Sequence, residues 1–263
     1  MTNAGPKAVF WSITVNVDLM LSRARRRRLL STCLHDRPLA PKGKIGSGVW
    51  KRVALLFAFA VYGLSSAYAS TCYGTPGHGR VVDGVQLPFG GNNFAAYSRL
   101  GAEMGRTYVH SLVRQVVLDA YAGLEKTAPG KTYVYGETGF AHGGAISPHR
   151  SHQNGLAVDF MVPVLDDDNR SVPLPSSPMN KFGYGLEFDN QGRIPGFRID
   201  FDAMAEHLYQ VSAAAHRHGV TIERIIFDPP LMNKLFSSGA RGAELRHLPF
   251  MMVRPWIRHG FVA

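Results

Sequence analysis

The chain has 263 residues, 45% hydrophobic and 18% charged, with 29 Lys+Arg against 19 Asp+Glu. That apolar content excludes a disordered chain, and two cysteines are too few for a scaffold built on disulfides. The net charge of +10 gives no case for a nucleic-acid partner: eleven of the 29 basic residues lie within residues 1–52 beside only Asp18 and Asp36, which leaves 18 basic against 17 acidic residues in a nearly neutral remainder.

Residues 1–48 hold an apolar run from Ala8 to Leu21, the basic block Arg23–Arg28 and a Pro/Lys/Gly-rich stretch. A basic block of this kind suits a nucleic-acid or membrane surface. The economical reading is an upstream extension, spurious or disordered, with Val49 as the true start, and it is set aside from the fold. Residues 49–69 have the order of a secretory signal peptide: Lys51-Arg52, an apolar core from Val53 to Leu64, and the small-x-small site Ala67-Tyr68-Ala69. The core is about twelve residues, short of the roughly twenty that span a bilayer, so the mature chain is expected in the periplasm without a stable membrane span. Cleavage would remove Cys33 and leave Cys72 as a single thiol.

The body, 70–263, opens on a Gly-rich lead-in read as irregular but ordered. Val109, Leu112, Val113, Val116, Val117, Ala120, Tyr121 and Leu124 recur at helical spacing and predict a helix over about 108–126. Residues 131–138 alternate like a strand, 156–164 form a second, nearly apolar strand, and 224–228 form a third. Asp200 is a good N-cap for a helix to about His218 stopped by Gly219, and Pro229-Pro230 opens a short helix ending near Gly239. This segregation of helices and strands predicts an α+β fold, a small, mostly antiparallel sheet with flanking helices in a single domain.

Residues 141–159 carry the chemistry: His142, His149, His152 and Asp159, with glycines at 143, 144 and 155. A carboxylate inside an apolar strand costs several kcal/mol unless paired or metal-bound. Asp159 therefore needs a partner, and His152 lies across a turn at Gly155. An imidazole and a carboxylate converging there are ligand types that zinc prefers; a carboxylate satisfied by the backbone beside a surface histidine is the other reading. His207, His216 and His218 are read as a solvated helix face, and Asp166–Asn169 as a solvated turn. Tyr184, Glu187 and Asp189 follow a Gly-rich bend that can line a groove. Ser147 and Ser151 have no surrounding nucleophile elbow.

The run Ser151-His152-x-x-Gly155-x-Ala157-x-Asp159 resembles the metal-binding signature of the superfamily of lysostaphin-type and D-Ala-D-Ala metallopeptidases. Its setting, residues 149–156, together with 224–229 and Arg254-Pro255-Trp256-Ile257-Arg258-His259, is similar to the penicillin-insensitive murein endopeptidases. The resemblance implies zinc-dependent hydrolysis of peptide cross-links in peptidoglycan, with His152 and Asp159 as zinc ligands and His259 assisting catalysis. It also implies peptidoglycan peptides as substrate and, for some relatives, service to a secretion machine. In that family a His-x-His pair on a closing strand follows and supplies the third ligand, whereas this sequence reads Arg258-His259-Gly260-Phe261-Val262-Ala263. The expectations are a truncated domain with an unpaired sheet edge, a Cys72 that has lost a C-terminal partner, and little or no hydrolase activity, with His149, His142 or His247 the remaining sources of a third ligand. A non-catalytic peptidoglycan-binding or envelope-assembly protein retaining the fold is the alternative.

Overall fold

The computed structural model describes residues 10–16 and 69–251. The block Arg23–Arg28, Cys33, nearly all of the expected signal peptide, and His259 lie outside the described residues. The elements in chain order begin with strands β1 (Phe10–Asn16), β2 (Thr71–Thr75), β3 (His78–Val82), β4 (Val85–Gln86) and β5 (Phe94–Ala96). Helix α1 (Arg99–Glu103), strand β6 (Tyr108–Val109), helix α2 (Ser111–Thr127), and strands β7 (Tyr133–Tyr135), β8 (Ala157–Met161), β9 (Val164–Asp166) and β10 (Ser171–Val172) follow. The chain continues through β11 (Arg193–Ile194), β12 (Phe197–Ile199), α3 (Phe201–Arg217), β13 (Thr221–Ile226), α4 (Pro229–Phe236) and β14 (Phe250–Met251). Among the described residues no helix is long and apolar enough to cross a membrane.

The fold is a single α+β domain around a six-stranded mixed sheet of order β14-β13-β1-β8-β7-β5, with α2 and α3 flanking it. Strand β1 runs antiparallel to both β8 and β13. Part of the segment set aside in sequence therefore stands in the middle of the sheet, between β8 and β13. The physical reason lies in β1 itself: Trp11, Ile13 and Val15 are fully buried, and their alternation gives one apolar face that a core can absorb.

The long helices form where periodicity predicts. Helix α3 starts on Asp200, whose Oδ1 accepts the Ala203 amide at 3.0 Å, and ends before Gly219 at φ 69°. Helix α2 begins three residues later than predicted, because Tyr108 and Val109 pair with β4 and His110 becomes the N-cap, its Nδ1 accepting the Leu112 amide at 3.2 Å. The predicted strand over 156–164 is broken at Pro163, which has no amide hydrogen to donate, and β9 turns into a second sheet. The Gly-rich lead-in is more regular than expected: β2 and β3 form a hairpin closed by Pro76-Gly77.

Cys72 is buried and disulfide-bonded in the uncleaved chain; the single thiol is an expectation for a cleaved one. One further expectation is overturned. His207 is 1% exposed, because α3 turns that face onto the sheet, where Trp11, Phe160, Tyr121 and Tyr133 surround the ring with centroids 4.8–5.3 Å away. His218 caps α3 and pairs with Asp119 of α2 at 2.8 Å.

The sheet has two chemically different faces. Directly opposed residues share a face, so Trp11 with Phe160 and Ile13 with Val158 point to the helices, and the Trp11 and Phe160 rings stack at 4.4 Å. Ser12 with Asp159 and Thr14 with Ala157 point the other way.

Candidate metal centre

On that second face Asp159 sits in the middle of β8, flanked along the strand by fully buried Val158 and Phe160. The loop between β7 and β8 returns across it. Gly155, at φ 76°, makes the turn that brings His152 back to the start of β8, and a Cβ at that glycine would lie 2.9 Å from the His110 amide nitrogen. His152 itself takes φ 72°, a left-handed backbone that costs a side-chain-bearing residue about 1–2 kcal/mol, and in doing so keeps its imidazole wholly buried. His149, three residues earlier, is 6% exposed.

His152 Nε2 lies 3.3 Å from Asp159 Oδ1, and His149 Nδ1 lies 3.6 Å from Asp159 Oδ2. Behind these atoms stands a second ring of contacts. His152 Nδ1 is 3.3 Å from the Ala157 carbonyl, and His149 Nε2 is 2.7 Å from Glu137 Oε2. The Tyr184 hydroxyl donates to Asp159 Oδ2 at 3.0 Å and accepts the Glu137 amide at 2.8 Å. Glu137 is also held by Arg106 and Tyr97.

These partners determine which ring nitrogens carry protons. The Ala157 carbonyl can only accept, so His152 Nδ1 donates and Nε2 keeps its lone pair. Burial alone would raise the Glu137 carboxyl, but hydrogen bonds from His149 and Arg106 overcome it and hold the pKa at about 2. An ionised carboxylate can also only accept, so His149 Nε2 donates and Nδ1 keeps its lone pair. Burial likewise opposes the charge on Asp159, yet attraction to His152 wins and lowers its pKa; a Ser12 hydrogen bond adds to this. Desolvation opposes charging His152, and the Asp159 carboxylate outweighs it, raising that pKa.

When both imidazoles are neutral, three acceptor atoms face one another: His149 Nδ1, His152 Nε2 and Asp159 Oδ1 are buried and have no hydrogen-bond partner. The ligand atoms of the three residues all lie within 4.8 Å of one another. Buried lone pairs that converge without a donor need a cation, and two imidazoles with a carboxylate are a donor set suited to zinc. The cluster can hold a metal ion.

An α+β domain carrying a His-His-Asp cluster on its sheet resembles the zinc metallopeptidases. The penicillin-insensitive murein endopeptidase family matches residues 72–261, and the chain belongs to that family. A comparison with curated proteins finds no match.

The structure brings together His152 and Asp159, as expected from sequence, and adds His149, which the sequence offers as one of three sources of a third ligand. The other two, His142 and His247, are exposed and take no part in the cluster. Tyr184 reaches the site, while Glu187 and Asp189 are exposed. Asp166–Asn169 is a turn held by Asp166 Oδ1, which accepts the Asp168 and Arg170 amides. Glu137 and Arg106 escape sequence reading. The signal that marks Asp159, an acid on an apolar strand, also applies to Glu137, which closely follows the buried run Tyr133–Tyr135 and is itself 7% exposed.

Proposed function

We propose that the chain is a periplasmic zinc-dependent endopeptidase that hydrolyses peptide cross-links of peptidoglycan, with His149, His152 and Asp159 as its zinc ligands and His259 assisting proton or charge transfer. The observation that carries the reading is the set of three converging, buried acceptor atoms in a chain of this family. Zinc bound there would polarise a substrate carbonyl and lower the pKa of a water molecule. The chain's own part is to hold three ligands rigidly: Ala157 and Glu137 orient the two imidazoles, and Tyr184 orients the carboxylate. Three protein ligands leave a tetrahedral cation one open position, which hydrolysis requires. No serine is engaged, so β-lactams are expected not to inhibit.

The near-complete burial of all three ligands favours a second reading, a peptidoglycan-binding or envelope-assembly protein whose metal serves the fold. One experiment separates the two. Full chain loaded with zinc is incubated with cross-linked muropeptides, with and without a chelator, beside Asp159→Asn. About one zinc per chain and chelator-sensitive cleavage lost in the variant support the endopeptidase. Zinc without cleavage supports the binder, and no zinc overturns both metal readings.

A further inference from the structure

We propose that Glu137 is the positioning residue of this centre: its carboxylate fixes the proton of His149 on Nε2 and thereby keeps the Nδ1 lone pair turned to the cation. The inference rests on the cation-binding reading above. Glu137 receives four hydrogen bonds on two oxygens. Oε1 accepts from Arg106 Nε at 2.6 Å and from the Tyr97 hydroxyl at 2.9 Å. Oε2 faces Arg106 Nη2 at 2.9 Å and His149 Nε2 at 2.7 Å. Arg106 Nη2 also donates to the Ser147 carbonyl at 2.7 Å, which ties the loop leading to His149 to the same anchor. A guanidinium has donors only and is always charged, so the side of Glu137 facing Arg106 has to remain an acceptor. One residue thus governs two ligands, since its amide holds the Tyr184 hydroxyl that orients Asp159.

The arrangement makes Glu137→Gln informative. An amide has one oxygen for these four donors. Its oxygen is best spent on Oε1, where the shorter Arg106 bond lies, which turns the amide NH2 toward His149 Nε2. The imidazole then has to accept there, and its proton moves to Nδ1, against the cation. Glu137→Asp keeps an acceptor-only carboxylate and should leave the proton on Nε2. Loss of an outer partner of a metal-bound histidine typically lowers metal affinity about 10- to 100-fold.

The test uses the full chain. Long-range proton–nitrogen NMR spectra of the metal-free protein near pH 8 report the tautomer of His149, whose signals are assigned by their loss in His149→Ala; chelator competition measures zinc affinity. The expected result is Nε2–H in the wild type and in Glu137→Asp, Nδ1–H in Glu137→Gln, and zinc affinity lower by about 10- to 100-fold in the Gln variant. A purely structural Glu137 would change stability and leave the tautomer where it is. An Nδ1–H tautomer in the wild type overturns the proposal even if Glu137→Gln does not fold. So does an unchanged tautomer, or undiminished zinc affinity, in Glu137→Gln. A wild type that binds no zinc instead overturns the cation reading and this proposal with it.

Discussion

At Gly136 there is no room for a side chain. A Cβ there would lie 2.5 Å from the Tyr184 hydroxyl oxygen and 2.9 Å from Asp159 Cβ, and neither can retreat, since the hydroxyl bridges Glu137 to Asp159 and Asp159 is locked in β8. Gly136→Ala is expected to cost about 1–3 kcal/mol, the usual penalty of overpacking, and to weaken zinc binding by displacing Tyr184. Urea unfolding and zinc competition on the same preparation check both, and a variant matching the wild type in each would show the contact to be slack. Tyr184→Phe is the milder perturbation. It removes one hydrogen bond to Asp159 and strands the Glu137 amide, so a loss of about 1–3 kcal/mol is expected by the same unfolding measurement.

Strand β1 is the element whose role is least visible from its place in the sequence. It fills the gap between β8 and β13, and its Ile13, opposite both Val158 and Ile225, is fully buried. Ile13→Ala should therefore cost about 2–5 kcal/mol in urea unfolding, a core-sized loss. An effect within about 0.5 kcal/mol, the size of a surface change, would place this strand outside the folded domain. Helices α2 and α3 were legible in sequence because an apolar stripe at a 3.6-residue period, an Asp cap and a Gly stop are all local signals. Asp159 was legible for a similar reason, a charge in an apolar run, and Gly155 pointed to His152. Nothing local marks the partners of Glu137: Arg106 and Tyr97 lie 31 and 40 residues away along the chain, and only the pairing of β5 with β7 and the backbone bonds of Tyr97 to Tyr135 and of Thr138 to Arg106 bring them in. In sequence β1 passes as part of the apolar run Ala8 to Leu21, set aside with the arginine block that follows it, because a strand's neighbours are not written in its own residues.

Across the whole molecule the central sheet separates a polar face, where the ligands converge, from an aromatic core against α2 and α3. His207, in that core, titrates in the acid range with nothing among the described residues to stabilise its charge. Both ring nitrogens of His207 are without hydrogen-bond partners, and the groups around it, Trp11, Tyr121, Tyr133 and Phe160, carry no charge at acid or neutral pH. Burial pushes its pKa down to about 3. In the unfolded chain the same group titrates near the ordinary histidine value of about 6.5. Between those two values the unfolded state binds a proton that the folded state refuses, so stability is complete above pH 6.5 and falls as the pH drops toward 3. One such group contributes at most about 1.4 kcal/mol per pH unit. Other groups titrate in the same window, notably those of the metal centre, so the quantity to measure is the difference between wild type and His207→Leu in urea unfolding at several pH values from 7 to 4. The leucine has no proton to refuse, so the stability of the variant relative to the wild type should rise steadily as the solution is acidified. A difference that stays constant with pH would mean that water or a charge reaches His207 and that the aromatic core is open where the fold closes it.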